Sequence, residues 1–218
     1  MRHDDDVARA GVDSDASWML TASGAKLYFL KPTADALNLA DIAYHTSNIC
    51  RFTGAVSQFY SVAQHSVFVG QLVKQMLDSE ITVEQESVEY WDQILAGLLH
   101  DSEEAYVQDL VGPLKACIRG KYKWVATGIR RKIFEKYNID WEYHNATVKA
   151  ADNKAIIVER YHLMPDHPDW PKLPPEEMPY PKPNAMMPIS ANNLFSSALQ
   201  YALQQRTAHS AEAGPEAL

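Results

Sequence analysis

Cysteine is scarce in this chain. Cys50 and Cys117 are the only two among 218 residues, too few for the disulfide framework on which small secreted domains depend. The polar and acidic beginning, MRHDDDVARAGVDSDAS, has neither the apolar core of a signal peptide nor the basic pattern of a transit peptide. We therefore expect a cytoplasmic protein whose two thiols are reduced, buried and unpaired.

Long hydrophobic runs and an excess of positive charge are also missing. No apolar stretch approaches the roughly 20 residues that a membrane-spanning helix requires, so no membrane partner is expected. The 20 Lys and Arg residues are outnumbered by 28 Asp and Glu, which gives a net charge of -8. Surfaces that bind nucleic acid polymers are rich in Lys and Arg. The charge balance argues against such a partner, but it leaves room for a single nucleotide held by a few basic residues and a metal.

The length and the 46% hydrophobic content predict one domain, which spans residues 17–205 and, from its apolar periodicity, is all-α. Residues 1–16 and 206–218 are rich in small and charged residues, which predicts disordered tails. Helical periodicity of the apolar residues predicts a series of helices, and a loop is expected at 111–113 and a short extended piece at 26–30. The predicted helices span about 39–54, 57–77, 82–101, 124–137, 141–164 and 191–204.

A proline-rich arm precedes the last predicted helix. Nine of the twelve prolines lie between Pro165 and Pro188, a composition that excludes a helix or a central strand. The segment is either a disordered linker or an ordered arm. Trp170 and Tyr180 offer aromatic anchors, so we favour an arm packed over the body or over a neighbouring subunit of a homo-oligomer.

Four polar residues lie where the helical pattern is apolar. His100 and Asp101 follow the run Ile-Leu-Ala-Gly-Leu-Leu, His65 lies on the apolar face of its predicted helix, and Asp152 lies on an apolar stripe. A lone histidine at such a position is more often a satisfied core residue, but an unpaired buried carboxylate costs several kcal/mol. One cation would satisfy all four side chains. Two imidazoles and two carboxylates suit Mn, Co, Fe or Zn, and possibly Mg, with positions left open for water and substrate.

The order of these four residues, each group on its own helix, resembles the HD-domain phosphohydrolase superfamily, whose fold is a compact helical bundle. The blocks around them are similar to one branch, which contains bacterial 5′-deoxynucleotidases and phage deoxyadenosine triphosphate triphosphohydrolases. The resemblance covers about residues 20–164. Its blocks read ICRF at 49–52, FYSVAQHSV at 59–67, LLHDSEEAY at 98–106, DL at 109–110 and PLK at 113–115.

The resemblance implies roles for five further residues. Arg51 would contact phosphate, Phe52 would stack against the base or sugar, Asp109 would accept from the sugar 3′-hydroxyl, and Lys115 would bind the distal phosphate. Glu104, four residues after His100 and expected on the same helix face, would be the general acid or base. Simpler roles stay open: Arg51 could complement a helix C-terminus, Glu104 could be a solvated surface residue, and Asp109 could cap a turn.

Three functions follow as expectations. The first is hydrolysis of 2′-deoxynucleoside triphosphates to deoxynucleoside and triphosphate, and the second is 5′-deoxynucleotidase action on monophosphates. The third, of another class, is a non-catalytic nucleotide-binding regulator. Two departures leave the base open: Phe52 stands where the bacterial enzymes have Trp, and Gly54 stands where the deoxyadenosine-selective phage enzymes have a bulky aliphatic residue.

Overall fold

The computed structural model describes residues 16–79, 84, 86–170, 180 and 182–212, without the side chains of 119, 141–145 and 212. The described part of the chain begins with an antiparallel hairpin of two short strands, β1 (Trp18–Leu20) and β2 (Lys26–Tyr28). The strand β2 is the extended piece that the sequence predicted. The predicted N-terminal tail lies outside the described residues except for its last position.

Helices make up the rest of the regular structure, so the all-α prediction is confirmed for the described ranges. Two short 3-10 helices span Ala34–Ala36 and Arg51–Gly54. The α-helices are α1 (Leu39–Asn48), α2 (Val62–Ser79), α3 (Val88–Leu99), α4 (Glu104–Val107), α5 (Gly112–Cys117), α6 (Arg119–Lys136), α7 (Trp141–Leu163) and α8 (Pro188–Glu212).

The core forms where α2 and α3 pack against each other, with α7 and α8 contacting both and α1 contacting α2 and α8. The contact between α2 and α3 is close at two glycines. A Cβ added at Gly97 would lie 2.9 Å from Val73 Cγ2 and 3.4 Å from Gly70 Cα. The absence of a side chain at this crossing therefore fixes how near α2 comes to α3, the two helices that lead to the histidines.

Local chemistry explains where the helices begin. The side chain of Asn38 accepts from the backbone N–H of Asp41 and caps α1, and Ser87 caps α3 by accepting from the N–H of Tyr90. The prediction of a loop at 111–113 is wrong in part, because α5 begins at Gly112. Pro113 sits in the first helical turn, where its missing N–H removes no intrahelical hydrogen bond.

Three other helix boundaries differ from the predicted ones. The first predicted helix ends at Asn48 and is followed by the separate 3-10 helix Arg51–Gly54. Helix α2 begins at Val62 rather than at 57, because Ser61 pairs with Cys50 in an isolated β-bridge. Helix α6 begins at 119, five residues before the predicted start. At the start of α2 the β-bridge overrides the apolar periodicity.

The prediction of a disordered C-terminal tail is wrong for residues 206–212, because these residues extend α8 to Glu212. Arg206 Nη1 donates to Asp92 Oδ1 and to the backbone oxygen of Tyr137, both at 2.9 Å. These contacts hold the end of the helix against α3 and the end of α6. Residues 213–218 lie outside the described residues.

The proline-rich arm packs on the body where it is described. Tyr180 places its ring 5.6 Å from that of Phe68, donates to Gln75 Oε1, and offers its carbonyl to His162 Nε2. Nε2 of Gln64 donates to the backbone oxygen of Asn184 at 2.9 Å. An ordered arm over the body is thus confirmed at these residues, whereas 171–179 and 181 lie outside the described residues.

Both cysteines are unpaired, as predicted. The prediction that they are buried is wrong, since Cys50 is partly exposed and Cys117 lies on the surface. Among the described helices, none combines the length and the apolar character that crossing a membrane would require.

Candidate metal centre and adjoining cavity

Three predicted ligands meet where α2 approaches the end of α3. His65 lies in the first turn of α2 and is fully buried, His100 follows the last residue of α3, and Asp101 comes next. Nε2 of His65 lies 3.2 Å from Nε2 of His100, and Oδ2 of Asp101 lies 3.5 and 3.1 Å from these two nitrogens. The three donor atoms all fall within 4.8 Å of one another, so this group could hold one metal ion.

The fourth predicted ligand, Asp152, reaches the same two nitrogens from α7. Its Oδ1 lies 3.5 Å from Nε2 of His65 and 3.9 Å from Nε2 of His100. Its Oδ2 accepts from Nζ of Lys149, one helical turn earlier, at 2.9 Å. Lys149 therefore orients the carboxylate so that one oxygen is directed at the histidines.

The hydrogen bonds of the two imidazoles assign their protons. Nδ1 of His65 lies 2.7 Å from Oε1 of Glu159, and Nδ1 of His100 lies 2.8 Å from the backbone oxygen of Gly97. Both partners act as acceptors, so each Nδ1 carries the proton. In the neutral rings the two Nε2 lone pairs then face each other across 3.2 Å. That arrangement is repulsive unless a cation lies between them, and it fits a metal ion.

The charges around the site also favour a cation between the two histidines. Burial and Arg51 oppose protonation of His65, yet Glu159, Asp101 and Asp152 together raise its pKa well above its ordinary value. Burial opposes the charge of Asp101, yet the two histidines hold the pKa of this carboxyl well below its usual range. The cluster of carboxylates therefore stabilises positive charge at the point where the ring nitrogens meet.

Glu159 is a site residue that the sequence analysis missed. It is fully buried in α7, and it binds His65 through Oε1 and Arg51 Nη2 through Oε2, at 2.7 and 3.2 Å. Its sequence position carried a signal, because it lies seven residues, or two helical turns, after Asp152 on an apolar stripe. A second carboxylate at that spacing belongs to the same face as the first.

Arg51 is buried between carboxylates. Nη1 lies 3.5 Å from Asp109 Oδ2 and 3.7 Å from Asp101 Oδ2, in addition to the contact with Glu159. Burial opposes the guanidinium charge, but these three carboxylates hold its pKa above its ordinary value. Neither simpler role for these residues fits: α1 ends three residues before Arg51, and the carboxylate of Asp109 is directed at Arg51.

The backbone that presents Arg51 is strained. Phe52 and Thr53 have φ of 54° and 55°, and Gly54 has φ of 82°. The left-handed region costs a residue with a side chain roughly 1–2 kcal/mol, whereas glycine adopts it readily. The backbone N–H of Arg51 donates to the oxygen of Tyr60, which anchors the turn. The guanidinium carbon of Arg51 lies 5.3 Å from the centroid of the Phe52 ring, and both side chains line one cavity.

Glu104 is buried, so its simpler role as a solvated surface residue is wrong. Glu104 and His100 do not share a helix, because His100 follows the last residue of α3, Leu99, and Glu104 begins α4. Oε1 accepts from Nζ of Lys115 at 2.7 Å, and the buried Oε2 has no hydrogen-bond partner in the described residues. Burial, followed by the nearby Asp101 and Asp109, raises the pKa of Glu104 well above its usual value.

Glu103, next to Glu104, forms a second buried acidic position that the sequence analysis did not single out. Its Oε1 lies 3.3 Å from Nη1 of Arg130, which also donates to the backbone oxygen of His100 at 3.4 Å. Burial raises the pKa of Glu103 to about 7, against the effect of Arg130. Arg130 thus joins α6 to the segment that carries His100 and Asp101.

A cavity of about 660 Å³ opens beside the ligand group. Glu104, Asp109 and Phe52 line it, together with three of the four predicted ligands, His100, Asp101 and Asp152. Its basic lining residues are Arg51, Lys115, Arg130, Lys149 and Arg160. Sequence analysis missed the last three of these, although Lys149 and Arg160 lie one turn before and two turns after Asp152 on α7.

Comparisons with known proteins place the chain among bacterial relatives. No family model matches it. An uncharacterized protein of Rhodobacter capsulatus is 32% identical over 108 residues, which make up 49% of this chain and 50% of that relative. YfdR of Escherichia coli, also described as uncharacterized, is 34% identical over 185 residues, 84% of this chain and 93% of the relative. At that identity and coverage the chain belongs to the same family as YfdR.

Proposed function

We propose that this protein is a metal-dependent phosphohydrolase of the HD-domain type that acts on 2′-deoxynucleotides. The observation that carries the proposal is the meeting of two Nε2 atoms and two carboxylates beside a cavity that is also lined by basic residues, among them the buried Arg51, and by a buried glutamate. Metal ligands, anion-binding groups and a proton-transferring group in one cavity are the parts that phosphate ester hydrolysis requires.

Four residues would hold the metal: His65, His100, Asp101 and Asp152. Two nitrogen and two oxygen donors suit Mn, Co, Fe or Zn, and Mg is a further candidate because half of the donors are carboxylates. A divalent ion bound there supplies a Lewis acid and lowers the pKa of a bound water. Glu159 and Gly97 O hold the two rings with Nε2 toward the ion, which fixes the ligand geometry before the metal arrives.

The remaining residues supply binding and proton transfer. Arg51 and Lys115 hold phosphate oxygens, because both are cations that line the cavity beside the ligands. Glu104 serves as general acid or base toward the water at Oε2, which has no hydrogen-bond partner among the described residues, while Lys115 holds Oε1. Phe52 packs against the base or sugar, and Asp109 accepts from the sugar 3′-hydroxyl.

A deoxynucleoside triphosphate is the substrate we favour, with deoxynucleoside and triphosphate as products. Four of the basic residues that line the cavity, Arg51, Lys115, Arg130 and Lys149, lie beside the ligand group or Glu104, more than the single phosphate group of a monophosphate needs. A triphosphate, with up to four negative charges, would use them more fully. Hydrolysis of deoxynucleoside monophosphates is the alternative within the same chemistry.

A nucleotide-binding regulator without catalysis is the alternative of another class. The position of Glu104 favours the enzyme. A buried carboxyl with one oxygen unpartnered destabilises the fold, and nucleotide binding alone gives no reason to keep an acid where an anionic substrate must bind. Proton transfer does give one.

Incubation with a substrate panel tests the proposal. The purified protein, loaded in turn with Mn, Co, Fe, Zn or Mg, is offered deoxynucleoside and ribonucleoside mono- and triphosphates, and the products are separated by ion-exchange chromatography. We expect deoxynucleoside and triphosphate from deoxynucleoside triphosphates. The matched control is Asp101→Ala, which should lose both metal and hydrolysis. If the metal-loaded protein binds nucleotides but hydrolyses none of them, the regulator replaces the enzyme; release from monophosphates alone selects the nucleotidase.

A further inference from the structure

One stripe of α7 runs the length of the cavity. Val148, Asp152, Ile156 and Arg160 succeed one another at intervals of four residues on α7, and Met164 follows directly after the helix ends at Leu163. All five line the cavity. Asp152 belongs to the ligand group, and Arg160 lies eight residues later, about 12 Å along the helix axis. A ligand whose phosphate lies at the Asp152 end has room along this stripe to extend toward Arg160.

Trp170 lies at that far end. It stands at the start of the proline-rich arm, lines the same cavity, and is 36% exposed. The guanidinium carbon of Arg160 lies 5.0 Å from the centroid of the Trp170 ring system, a cation–π contact that covers part of the indole and steadies its plane. Ile156, between Asp152 and Arg160, and Met164, beyond Arg160, are apolar, so this end of the cavity suits a flat, uncharged group better than a phosphate.

The arm is held in place on the protein body. The amide nitrogen of Gln64, in α2 beside the candidate ligand His65, donates to the backbone oxygen of Asn184, and Tyr180 rests on Phe68. Near the start of the arm, the backbone N–H of Trp170 donates to the backbone oxygen of His167 at 3.0 Å. The contacts of Gln64 and Phe68 hold the described parts of the arm against α2, the contact of His162 Nε2 with the carbonyl of Tyr180 holds them against α7, and the turn from His167 to Trp170 orders the segment that follows α7.

We propose that Trp170 stacks against the nucleobase of the bound nucleotide, and that Arg160 positions the indole for this contact. The inference rests on the proposed function for the nature of the ligand, and it adds a substrate-contacting residue from the arm. Stacking on an aromatic ring accepts every base, since each has a π face. Trp170 therefore increases affinity for the base-bearing end of the ligand and leaves the affinity for phosphate unchanged.

Two probes separate the two ends of the ligand. Deoxyadenosine carries the base without phosphate, and 2-deoxyribose 5-phosphate carries the phosphate without a base. Their binding to the metal-loaded protein is measured by calorimetry for the wild type, Trp170→Leu and Trp170→Phe. Loss of a stacked base weakens binding by roughly 5- to 150-fold, so we expect Trp170→Leu to weaken deoxyadenosine binding about 10-fold and to leave 2-deoxyribose 5-phosphate unchanged. Trp170→Phe should keep most of the affinity.

Trp18→Leu is the matched control. Trp18 is also an exposed tryptophan stacked under a cation, with Lys26 Nζ 4.2 Å from its ring, and it lies in the hairpin. This variant should bind both probes as the wild type does. Unchanged deoxyadenosine binding in Trp170→Leu, or equal loss of both probes in a variant that melts normally, overturns the proposal. Because deoxyadenosine binding needs no hydrolysis, an inactive protein that still shows the Trp170 effect contradicts the proposed enzyme and leaves the stacking intact.

Discussion

At the scale of single residues, the candidate site depends on which atom of each side chain already has a partner. Both imidazoles have Nδ1 occupied, and Glu104 has Oε1 occupied by Lys115. The atoms left over are the two Nε2 nitrogens and Oε2 of Glu104. Hydrogen bonding has thus directed the ligand atoms toward one point and left one carboxylate oxygen for proton transfer.

Glu104→Gln tests that division. The amide oxygen can still accept from Nζ of Lys115, so metal binding and folding should persist. An amide cannot take up the water's proton, and hydrolysis should fall by about 10²–10⁴-fold, the usual contribution of a general acid or base. Product release is measured alongside metal content by mass spectrometry. Near wild-type turnover with full metal occupancy would mean that another residue handles the proton.

Glu159→Gln tests the orientation of His65. The substitution removes the charge that holds Nδ1 of His65 and that pairs with Arg51. Loss of such a supporting carboxylate typically weakens metal binding 10–100-fold, and we expect a loss within that range. Metal titration followed by calorimetry measures it. Glu135→Gln, a change on the exposed face of α6, is the control and should leave the affinity as it is; equal affinities for the two variants would contradict the role of Glu159.

At the scale of elements, the close crossing of α2 and α3 brings the two histidine-bearing segments together. Gly97→Ala would place a methyl group 2.9 Å from Val73 Cγ2 and 3.4 Å from Gly70 Cα. Overpacking of this kind costs about 1–3 kcal/mol, more than the helix propensity gained from alanine, at most about 1 kcal/mol. We expect a lower free energy of unfolding in urea.

Gly128→Ala is the matched control for that experiment. Gly128 lies inside α6, and an added Cβ there would meet no atom within 4 Å. Only the helix propensity changes, so this variant should be more stable by about 0.5–1 kcal/mol. If Gly97→Ala were as stable as Gly128→Ala, the crossing would have room for a methyl group and would not set the helix separation.

The hairpin is tied to α1 by Asp41. Its Oδ1 accepts from the backbone N–H of Ser23, and Oδ2 accepts from Oγ of Ser23 and from Nδ2 of Asn38, each at 2.7 Å. Although burial acts against the charge, these hydrogen bonds lower the pKa of Asp41. A carboxyl whose pKa is depressed on folding contributes stability above its unfolded pKa, near 3.9, and loses it as the pH falls through the folded value.

Asp41→Asn should therefore destabilise the protein in a pH-dependent way. The amide nitrogen would face donors, so we expect a loss of about 1–3 kcal/mol at pH 7. The difference from wild type should shrink as the pH falls below 4, because the wild-type carboxyl is then protonated as well. Urea unfolding at a series of pH values measures it. A difference that stays constant down to pH 2 would show that the charge of Asp41 plays no part.

At the scale of the whole molecule, the candidate metal centre joins the N-terminal end of α2, the C-terminal end of α3 and the middle of α7. An ion bound there would be lost on unfolding, when these segments separate. At a metal concentration 100 times the dissociation constant, binding adds about 2.7 kcal/mol, which raises the melting temperature of a domain of this size by about 5–10 °C. Thermal melts with Mn and with chelator measure the shift. Asp101→Ala should show none, and a shift of equal size in that variant would place the ion elsewhere.

The sequence by itself determined the all-α class and the four candidate ligands. Apolar residues at helical spacing need a helix to bury them together, and a polar side chain within such a stripe needs a partner. His65, His100, Asp101 and Asp152 were found by that rule, and the structure brings them together.

Only the tertiary structure decided how the site is supported. The partnership of Glu159 with His65 and Arg51 joins residues about a hundred positions apart in the chain, and no local pattern encodes such a pairing. The last turns of α8 escaped prediction for the same reason, because Arg206 is held by contacts with α3 and with the end of α6. Local periodicity specifies which face of a helix is buried, whereas the residue that it meets there is set by how the helices pack.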